Sequence, residues 1–267
     1  MGVPAAADRF SQGLSLLLAG KKLLITGVLT PGSIAYDCAR IAQDEGAEVL
    51  LTGFGRGMSL TQRSAQRLSP TPEVLEVDVN NGADLVALTA DLQRRWGRLD
   101  GCLHAIAYAP PDTIGGRFMT APWESVEVAL RTSTFSLKEL ACAVTPLMGA
   151  GGSIVSLTFD NRFAWPVYDW MGVCKSGLES VARYLARDLG PRGIRVNTVA
   201  AGPLATIAAK AIHGFSEIKE AWQKAPLGWD TGDPEPVARM VAVLLSDWAP
   251  ATTGEMVHVD GGYHAMG

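Results

Sequence analysis

The sequence predicts one α/β domain: a Rossmann-like, doubly wound sheet of seven mostly parallel strands, flanked by helices. Three observations support this fold class. Short apolar runs have the pattern of strands buried on both faces, because they are continuous rather than alternating. Helical segments separate these runs, and no linker interrupts the alternation. The predicted strands cover residues 22–26, 48–52, 73–77, 100–107, 152–158, 194–200 and 255–260.

The segments between the strands have helical periodicity. In the first of them, Ile34, Cys38, Ile41 and Ala42 fall on one stripe, and Gly46 is placed to end the helix. Strands that are joined by crossover helices lie parallel in one sheet. The other predicted helices cover residues 83–96, 123–148, 168–189 and 234–246.

The composition excludes several classes of protein. With 267 residues, of which 48% are hydrophobic, the chain is able to bury a large core. Its net charge of −4 and isoelectric point of about 5.6 argue against a nucleic-acid binder. The apolar run at residues 14–20 is too short to span a bilayer and no basic segment precedes it, so we expect no membrane association and a cytoplasmic location. We expect residues 1–13 to form a flexible extension and residues 14–267 to form the domain.

The four cysteines predict neither a metal site nor a disulfide framework. Cys38, Cys102, Cys142 and Cys174 are widely spaced, without a C-x-x-C pair or clustered histidines. We therefore interpret them as free thiols in a reducing compartment and predict no bound metal.

The turn after the first predicted strand, TGVLTPGSIAY, has features of a dinucleotide site. Such a sheet binds ligands beyond the carboxyl ends of its strands. Gly27 allows a tight turn, Gly32 permits a close backbone approach, and Ser33 is placed to cap the next helix, whose N-terminus would face a pyrophosphate. The turn lacks the G-x-G-x-x-G fingerprint, so an ordinary strand–helix loop explains this motif alone equally well.

Three further positions bear on the nucleotide. Asp78 follows the third strand, where a carboxylate is able to accept a hydrogen bond from the adenine amino group, although a turn or cap role suits it too. Phe54 stands after the second strand, where an acid often binds the ribose 2′-hydroxyl, and its ring is suited to lie against adenine. Arg56 is compatible with binding of a ribose 2′-phosphate, although a single arginine in a loop is usually solvated.

The stretch YDWMGVCK places Tyr168 and Lys175 seven positions apart in a predicted helix. At about 3.6 residues per turn this is nearly two turns, so both side chains are expected on one face, about 10.5 Å apart along the axis. The pair is either a site that combines a phenolic proton with a cation or a coincidence of helix packing.

Together these motifs resemble the NADH-dependent enoyl-acyl-carrier-protein reductases of the actinobacterial, mycobacterial type, a divergent branch of the short-chain dehydrogenase/reductase superfamily. Ordinary members of that superfamily carry tyrosine and lysine four positions apart and a T-G-x-x-x-G-x-G turn, and this chain has neither. The resemblance extends from about residue 18 to the C-terminus. The matching stretches are TGVLTPGSIA, DVN after the third strand, the Tyr168–Lys175 pair, AAGP after the sixth strand, and LLSDWAPATTGEMVHVDGGYHAMG.

The resemblance implies a catalytic set. In the family, hydride passes from NADH to the β-carbon of a trans-2-enoyl thioester in fatty-acid biosynthesis, and Tyr168 matches the donor to the carbonyl oxygen as it gains charge. Lys175 matches the lysine that binds the nicotinamide ribose. Phe159 stands where many bacterial members have a second tyrosine and is expected to shape the pocket, the alternative being a plain core aromatic. NADH is the implied cofactor, with NADPH less favoured.

The resemblance also implies which residues contact the dinucleotide. Ala105 departs from the serine that is common at this point in the family, and His104 before it suits a structural role at the strand end. The residues implied to line the dinucleotide are Gly27, Val28, Ser33, Ile34, Phe54, Asp78, Val79, Ala105, Ile106, Ala107, Lys175, Ala201, Pro203 and Thr206.

The segment at residues 204–228 matches the part of the family that covers the acyl chain. It is compact here, which favours short to medium chains, although an ordinary surface helix is the alternative. Its apolar stripe consists of Ile207, Ala208, Ala211, Ile212 and Phe215. The implied partners are an enoyl thioester, on acyl carrier protein or coenzyme A, and further copies of this chain in a homotetramer.

Two other functions are open at this stage. A short-chain dehydrogenase that acts on a ketone or alcohol would share the fold, but the four-position spacing of its tyrosine and lysine is missing here. A nucleotide sensor or scaffold would share the fold without the chemistry. Such a protein would be expected to have lost Tyr168 or Lys175, and both are present.

Overall fold

A computed structural model describes residues 16–210 and 214–266 of the chain. The expected extension at residues 1–13 lies outside the described part, as do residues 14 and 15 of the predicted domain. In the described part, seven strands form one sheet in the order β3-β2-β1-β4-β5-β6-β7. Every pairing is parallel, so the predicted α/β fold is confirmed with a sheet that is wholly parallel. The strands are β1 (Lys22–Ile25), β2 (Glu48–Gly53), β3 (Val74–Glu76), β4 (Gly101–His104), β5 (Ser153–Thr158), β6 (Arg195–Ala201) and β7 (Met256–Val259).

The helices pack on both faces of this sheet. None in the described part is long and apolar enough to cross a membrane. The helices are α1 (Ile34–Asp44), α2 (Met58–Ala65), α3 (Gly82–Trp96), α4 (Trp123–Leu130), α5 (Ser136–Val144), α6 (Asp169–Leu189), α7 (Ile207–Lys210), α8 (Phe215–Ala221) and α9 (Glu235–Leu245).

Alternate residues of the inner strands face two separate hydrophobic cores. Leu23 and Ile25 of β1 pack into the core under α1 and α9, whereas Leu24 packs into the core under α3, α5 and α6. Residues on both faces of the inner strands are buried, so these strands have no solvated face and lack polar alternation, whereas the edge strand β7 is partly exposed. Full burial of a leucine stabilises the fold by about 1.5–3 kcal/mol, so the two cores hold the sheet between the helical layers.

The helix predicted at residues 123–148 is not regular. Residues 131–135 form a π-helical turn between α4 and α5, and a short 3-10 turn follows α5. Within the π turn, the Thr132 hydroxyl accepts a hydrogen bond from the loop after β3, at 3.0 Å, and the Ser133 hydroxyl bonds the backbone of the loop after β4. The Thr134 hydroxyl donates to a backbone carbonyl of α6 at 2.7 Å. One widened turn therefore bonds to three separate elements.

Two other helix details differ from the sequence prediction, whereas the helix-ending role predicted for Gly46 is present. Helix α2 was not predicted, because its buried residues are small or polar and give no apolar stripe. The α1 helix ends at Asp44, and Gly46 follows two residues later with a φ of 89°, the left-handed conformation usual after a helix. Helix α6 begins at Asp169, so Tyr168 is the residue before its first turn rather than a residue inside it.

Candidate functional site

A cavity of about 710 Å³ lies at the carboxyl ends of the strands, above the pairing of β1 with β4. Its volume falls in the range of small-molecule and cofactor sites. The chain turns away in opposite directions on the two sides of β1 and β4, which is where open parallel sheets bind dinucleotides. The predicted dinucleotide residues that line it are Gly27, Val28, Ser33, Ile34, Phe54, Asp78, Val79, Ala105, Ile106, Ala107 and Thr206.

The backbone at the floor of the cavity is packed very closely. Gly27 has a φ of 81°, and a Cβ there would come within 2.7 Å of the Ala105 carbonyl carbon and closer still to its oxygen. Only glycine combines this conformation with this approach. Gly32 differs, since a Cβ at that position would meet nothing closer than 3.9 Å. The tight turn predicted at Gly27 is therefore present, and Gly32 is not needed for protein packing.

Ser33 does not cap α1 as predicted. It precedes the helix with extended backbone angles, but its side chain makes no capping bond. The Ser33 hydroxyl instead donates to the Thr30 carbonyl at 2.7 Å, inside the turn. The N–H groups in the first turn of α1 therefore have no bond from this side chain, and Ser33 lies in the cavity wall.

Asp78 and Phe54 line the cavity from the loops that follow the neighbouring strands β3 and β2. One Asp78 carboxylate oxygen accepts the Asn80 backbone N–H at 2.9 Å, so the predicted turn role is present beside its place in the wall. Phe54 is half-exposed after β2, with its ring unconstrained by the core. Arg56 follows in a 3-10 turn, is exposed, and is not among the residues that line the cavity.

Lys175 is buried within α6 and points to the end of β5. Its ammonium group donates to the Leu157 carbonyl at 2.8 Å, and Leu157 lines the cavity. Burial lowers the pKa of Lys175 to about 8, and the nearby Cys174 and Glu179 oppose only part of the shift. The sheet therefore holds a cation at the cavity edge that is much easier to deprotonate than a solvated lysine.

Tyr168 approaches the same strand end as Lys175. Its ring packs edge-on against Phe159, with 5.3 Å between ring centroids, and Phe159 is two residues after Leu157. Removal of the phenol from water raises its pKa above the ordinary value, so the hydroxyl keeps its proton at neutral pH. Tyr168 and Lys175 thus both approach the carboxyl end of β5, the first through Phe159 and the second through Leu157, although Tyr168 precedes the first residue of the helix.

Comparisons with known proteins agree with this geometry. A family model described as enoyl-(acyl carrier protein) reductase matches residues 27–264. The chain is 44% identical over 261 residues to an enoyl-[acyl-carrier-protein] reductase [NADH] of Mycolicibacterium smegmatis, covering 92% of this chain and 97% of the relative.

The chain belongs to the enoyl-(acyl carrier protein) reductase family. Relatives that carry the same printed name occur in Mycobacterium avium, at 43% identity over 92% of this chain and 97% of that protein. A further one in Aquifex aeolicus is 39% identical over 94% of both chains. The resemblance inferred from the motifs, including its mycobacterial type, is confirmed.

Three of the residues implied for the dinucleotide by this reductase family do not line the cavity. Ala201 is buried in the core at the end of β6, and Pro203 is buried beyond it, with its carbonyl accepting the Trp229 indole N–H at 2.9 Å. Lys175 reaches the cavity only through its bond to Leu157. The other implied residues line the cavity, whereas these three lie next to it, on the side of β5 and β6.

Phe159 lies in a cluster of aromatic rings beside Tyr168, rather than in the large cavity. Its ring centroid is 5.4 Å from those of both Trp165 and Trp222, and Tyr263 stacks on Trp222 at 4.2 Å. The structure places Trp165 in this cluster, whereas Trp170 stacks on Phe118 outside it.

His104 has the structural role expected from the sequence. It is wholly buried at the end of β4 between the hydroxyls of Ser156, at 3.0 Å, and Ser136, at 2.8 Å. Burial and the charge of Lys175 lower the pKa of His104 to about 3, so the imidazole is neutral at physiological pH. The sequence analysis did not point to Thr132 or Tyr108, which also line the cavity, and Asn80, which lines it too, belongs to the DVN stretch that matched the family but was given no role.

We expect Gly27→Ala to destabilise the protein and to weaken dinucleotide binding, because the new methyl group overlaps the Ala105 carbonyl. A misfit of this kind costs about 1–3 kcal/mol or more. Gly32→Ala is the matched control in the same turn, since its methyl group has room. Urea unfolding and NADH titration of both variants test this, and equal stability of the two variants would show that the close approach is not limiting.

Proposed function

We propose that the protein reduces the trans-2 double bond of an enoyl thioester with NADH, in fatty-acid biosynthesis. The observation that carries this is the convergence of Tyr168 and Lys175 at the end of β5, in a chain of the enoyl reductase family. The alternative dehydrogenase of ketones or alcohols has no such support, since its four-position spacing is absent and the relatives carry the enoyl reductase name.

The cavity fits a dinucleotide in size, in position and in the character of its wall. Its lining is mostly apolar, with polar groups at Asp78, Asn80 and Thr206, as is usual for cofactor sites. When bound, NADH supplies the hydride. We assign the adenine end to Phe54, Val79 and Asp78 and the nicotinamide end to Ala107, Leu157 and Lys175. Because Arg56 does not line the cavity, nothing there favours a 2′-phosphate, and NADH is the proposed cofactor rather than NADPH.

Tyr168 is the proposed donor to the thioester carbonyl oxygen. Hydride addition at the β-carbon places negative charge on that oxygen, and a hydrogen-bond donor already in place stabilises the charge. The raised pKa of Tyr168 keeps the phenol protonated, so the donor is available throughout the physiological range. Phe159, whose ring packs against Tyr168, limits the orientations that the phenol adopts.

Lys175 is proposed to bind the nicotinamide ribose and to favour negative charge nearby. Its ammonium group has further N–H donors beside the one bonded to Leu157, and these are free to bind ribose hydroxyls. The low local polarity that lowers its pKa also strengthens its interaction with a developing anion.

The aromatic cluster beside Tyr168 supports a preference for short to medium acyl chains. Trp222 belongs to the segment at residues 204–228, is buried, and separates Phe159 from Tyr263. Helices α7 and α8 flank a gap at residues 211–213, so Ala211 and Ile212 of the predicted acyl-facing stripe lie outside the described residues. The bulk of Trp222 next to the proposed donor leaves little depth for a long chain.

The remaining partners are proposed from the family. We propose acyl carrier protein as the substrate carrier, a cytoplasmic location, and a homotetramer. Exposed apolar side chains on α4, the π turn and α6 support the assembly, because they present hydrophobic surface on adjoining elements. These side chains are Trp123, Phe135, Val173 and Tyr184.

We expect the protein to oxidise NADH with crotonyl-CoA, and Tyr168→Phe to lower kcat by about 100- to 1,000-fold, since one oxyanion donor is lost. Affinity for NADH should be unchanged. Tyr184→Phe, an exposed tyrosine on the adjoining helix α6, is the control and should keep full activity. Steady-state kinetics at 340 nm measure both. Turnover of ketones or alcohols without enoyl turnover would establish the dehydrogenase alternative instead.

We expect affinity for NADH to fall as the pH rises through about 8, because the free protein then loses the Lys175 charge. The decrease should approach tenfold per pH unit, the limit for one ionisation. Lys175→Arg keeps its charge throughout, so its affinity should not vary between about pH 7 and 10. Fluorescence titrations across this range test the assignment, and a wild-type affinity independent of pH would contradict it.

We expect Trp222→Ala to shift the preference towards longer chains by about tenfold, measured as the kcat/KM ratio for dodecenoyl over crotonyl thioester, because each added methylene then finds apolar space. The ratio is unaffected by any loss of folded enzyme. Trp248→Ala, which removes an exposed tryptophan, is the control. An unchanged ratio, or a wild-type preference that rises beyond dodecenoyl, would show that this cluster does not set the pocket depth.

A further inference from the structure

The backbone on both sides of Tyr168 has an unusual conformation. Val167 has a φ of 60° and Asp169 a φ of 45°, and they are the non-glycine residues with positive φ in the described part of the chain. This region is unfavourable for side chains with a Cβ, and most of all for a β-branched residue such as valine. A conformation of this kind persists only where the surrounding structure holds it. Val167 and Asp169 therefore need stabilising contacts from another part of the chain.

Those partners are three consecutive backbone N–H groups of one distant loop. Gly115 donates to the Val167 carbonyl at 2.8 Å. Gly116 and Arg117 donate to the same Asp169 carboxylate oxygen, at 2.6 and 2.7 Å. Each strained residue is thus bonded to the loop, and the carboxylate receives two charge-assisted bonds, which are stronger than neutral ones.

The loop is shaped to present these donors. Gly115 and Gly116 have φ values of 80° and 83°, a conformation that glycine adopts without steric cost. The contact continues along the chain, since the Trp170 indole N–H donates to the Phe118 carbonyl at 3.0 Å and the two rings stack at 4.9 Å. The loop at residues 115–118 is therefore joined to the chain on both sides of the tyrosine.

Helix α6 cannot supply this constraint by itself. The helix begins at Asp169, and the Tyr168 backbone N–H makes only a long bond of 3.4 Å, to the Trp165 carbonyl. The helix therefore orients Lys175 fully, but it holds Tyr168 only on its carbonyl side, where the Tyr168 carbonyl accepts the Met171 N–H at 3.0 Å. On its other side Tyr168 follows Val167 and precedes Asp169, both with positive φ, and the Asp169 carboxylate bonds this part of the chain to the loop.

We propose that Asp169 is a positioning residue, whose carboxylate holds Tyr168 in the orientation that the reaction requires. Its kinetic consequences rest on the proposed enoyl thioester reduction. Asp169 touches neither the cavity wall nor the Tyr168 ring cluster, so it acts only through the backbone. Asparagine tolerates the same left-handed conformation and retains one acceptor oxygen, which makes it the conservative replacement.

The first test compares two replacements. Asp169→Ala should lower kcat on crotonyl-CoA by about 10- to 100-fold, the effect of displacing a catalytic group by about an ångström. NADH affinity should change by less than about twofold, because Asp169 does not line the cavity. Asp169→Asn should stay within about threefold of the wild type. Asp233→Ala is the control, since that aspartate accepts a backbone N–H, from Glu235 at 2.9 Å, in another loop.

A double-mutant cycle separates positioning from general support of the fold. If Asp169 acts through the phenol, Asp169→Ala should cost less than about threefold when added to Tyr168→Phe, because the positioned hydroxyl is already gone. A loss of kcat as large as that in the wild-type background would assign Asp169 a purely structural role and overturn the proposal.

A spectroscopic measurement tests the inference whatever the reaction is. The chain has five tyrosines, so 3-fluorotyrosine labelling gives one fluorine resonance for each, and the one lost in Tyr168→Phe belongs to Tyr168. Asp169→Ala should shift or broaden that resonance and leave those of Tyr36 and Tyr184 in place, while Asp169→Asn preserves it. An unchanged Tyr168 resonance overturns the inference. Absence of enoyl turnover in the wild type would instead remove the proposed function.

Discussion

The parallel pairing of β1 with β4 is the contact around which the site is built. The Thr26 hydroxyl joins the ends of the two strands, donating to the Leu103 carbonyl at 2.9 Å and accepting the Ala105 N–H at 3.1 Å. Gly27 then follows so close to Ala105 that a side chain has no room. The crossover connections run in one direction from β1 to β3 and in the opposite direction from β4 to β7. A crevice therefore opens above the β1–β4 pair, and the loops after β1, β2, β3 and β4 line it.

Removal from water has opposite effects on the pKa values of the two ionisable groups of the proposed site. It raises the pKa of Tyr168 and lowers the pKa of Lys175, so each neutral form is favoured. For the phenol this secures a donor at all physiological pH values. For the ammonium group it makes the charge depend on pH near neutrality. The bond to the Leu157 carbonyl keeps the group where a ribose would be bound.

The sheet was predictable because most of its strands are short apolar runs without polar alternation, the pattern of strands covered on both faces, and helical segments separate them. Helix α2 was missed for the converse reason: its residues are mostly polar, and the helix forms through packing against β2 and β3. The cavity residues followed from motifs at strand ends. The exact setting of Tyr168 did not, because periodicity assumes regular angles, whereas the φ of Asp169 depends on backbone donors more than fifty positions earlier in the chain.

The π-helical turn at residues 131–135 makes the number of residues in this segment as important as their identity. Such a turn is equivalent to an α-helix with one residue added. Deleting a residue here would restore a regular helix and rotate α5 relative to α4 by about 100°. The hydroxyls of Thr132, Ser133 and Thr134 would then lose their simultaneous reach to three neighbouring elements. The length of the chain is thus constrained at this point, whereas conservative exchanges of side chains leave the widened turn intact.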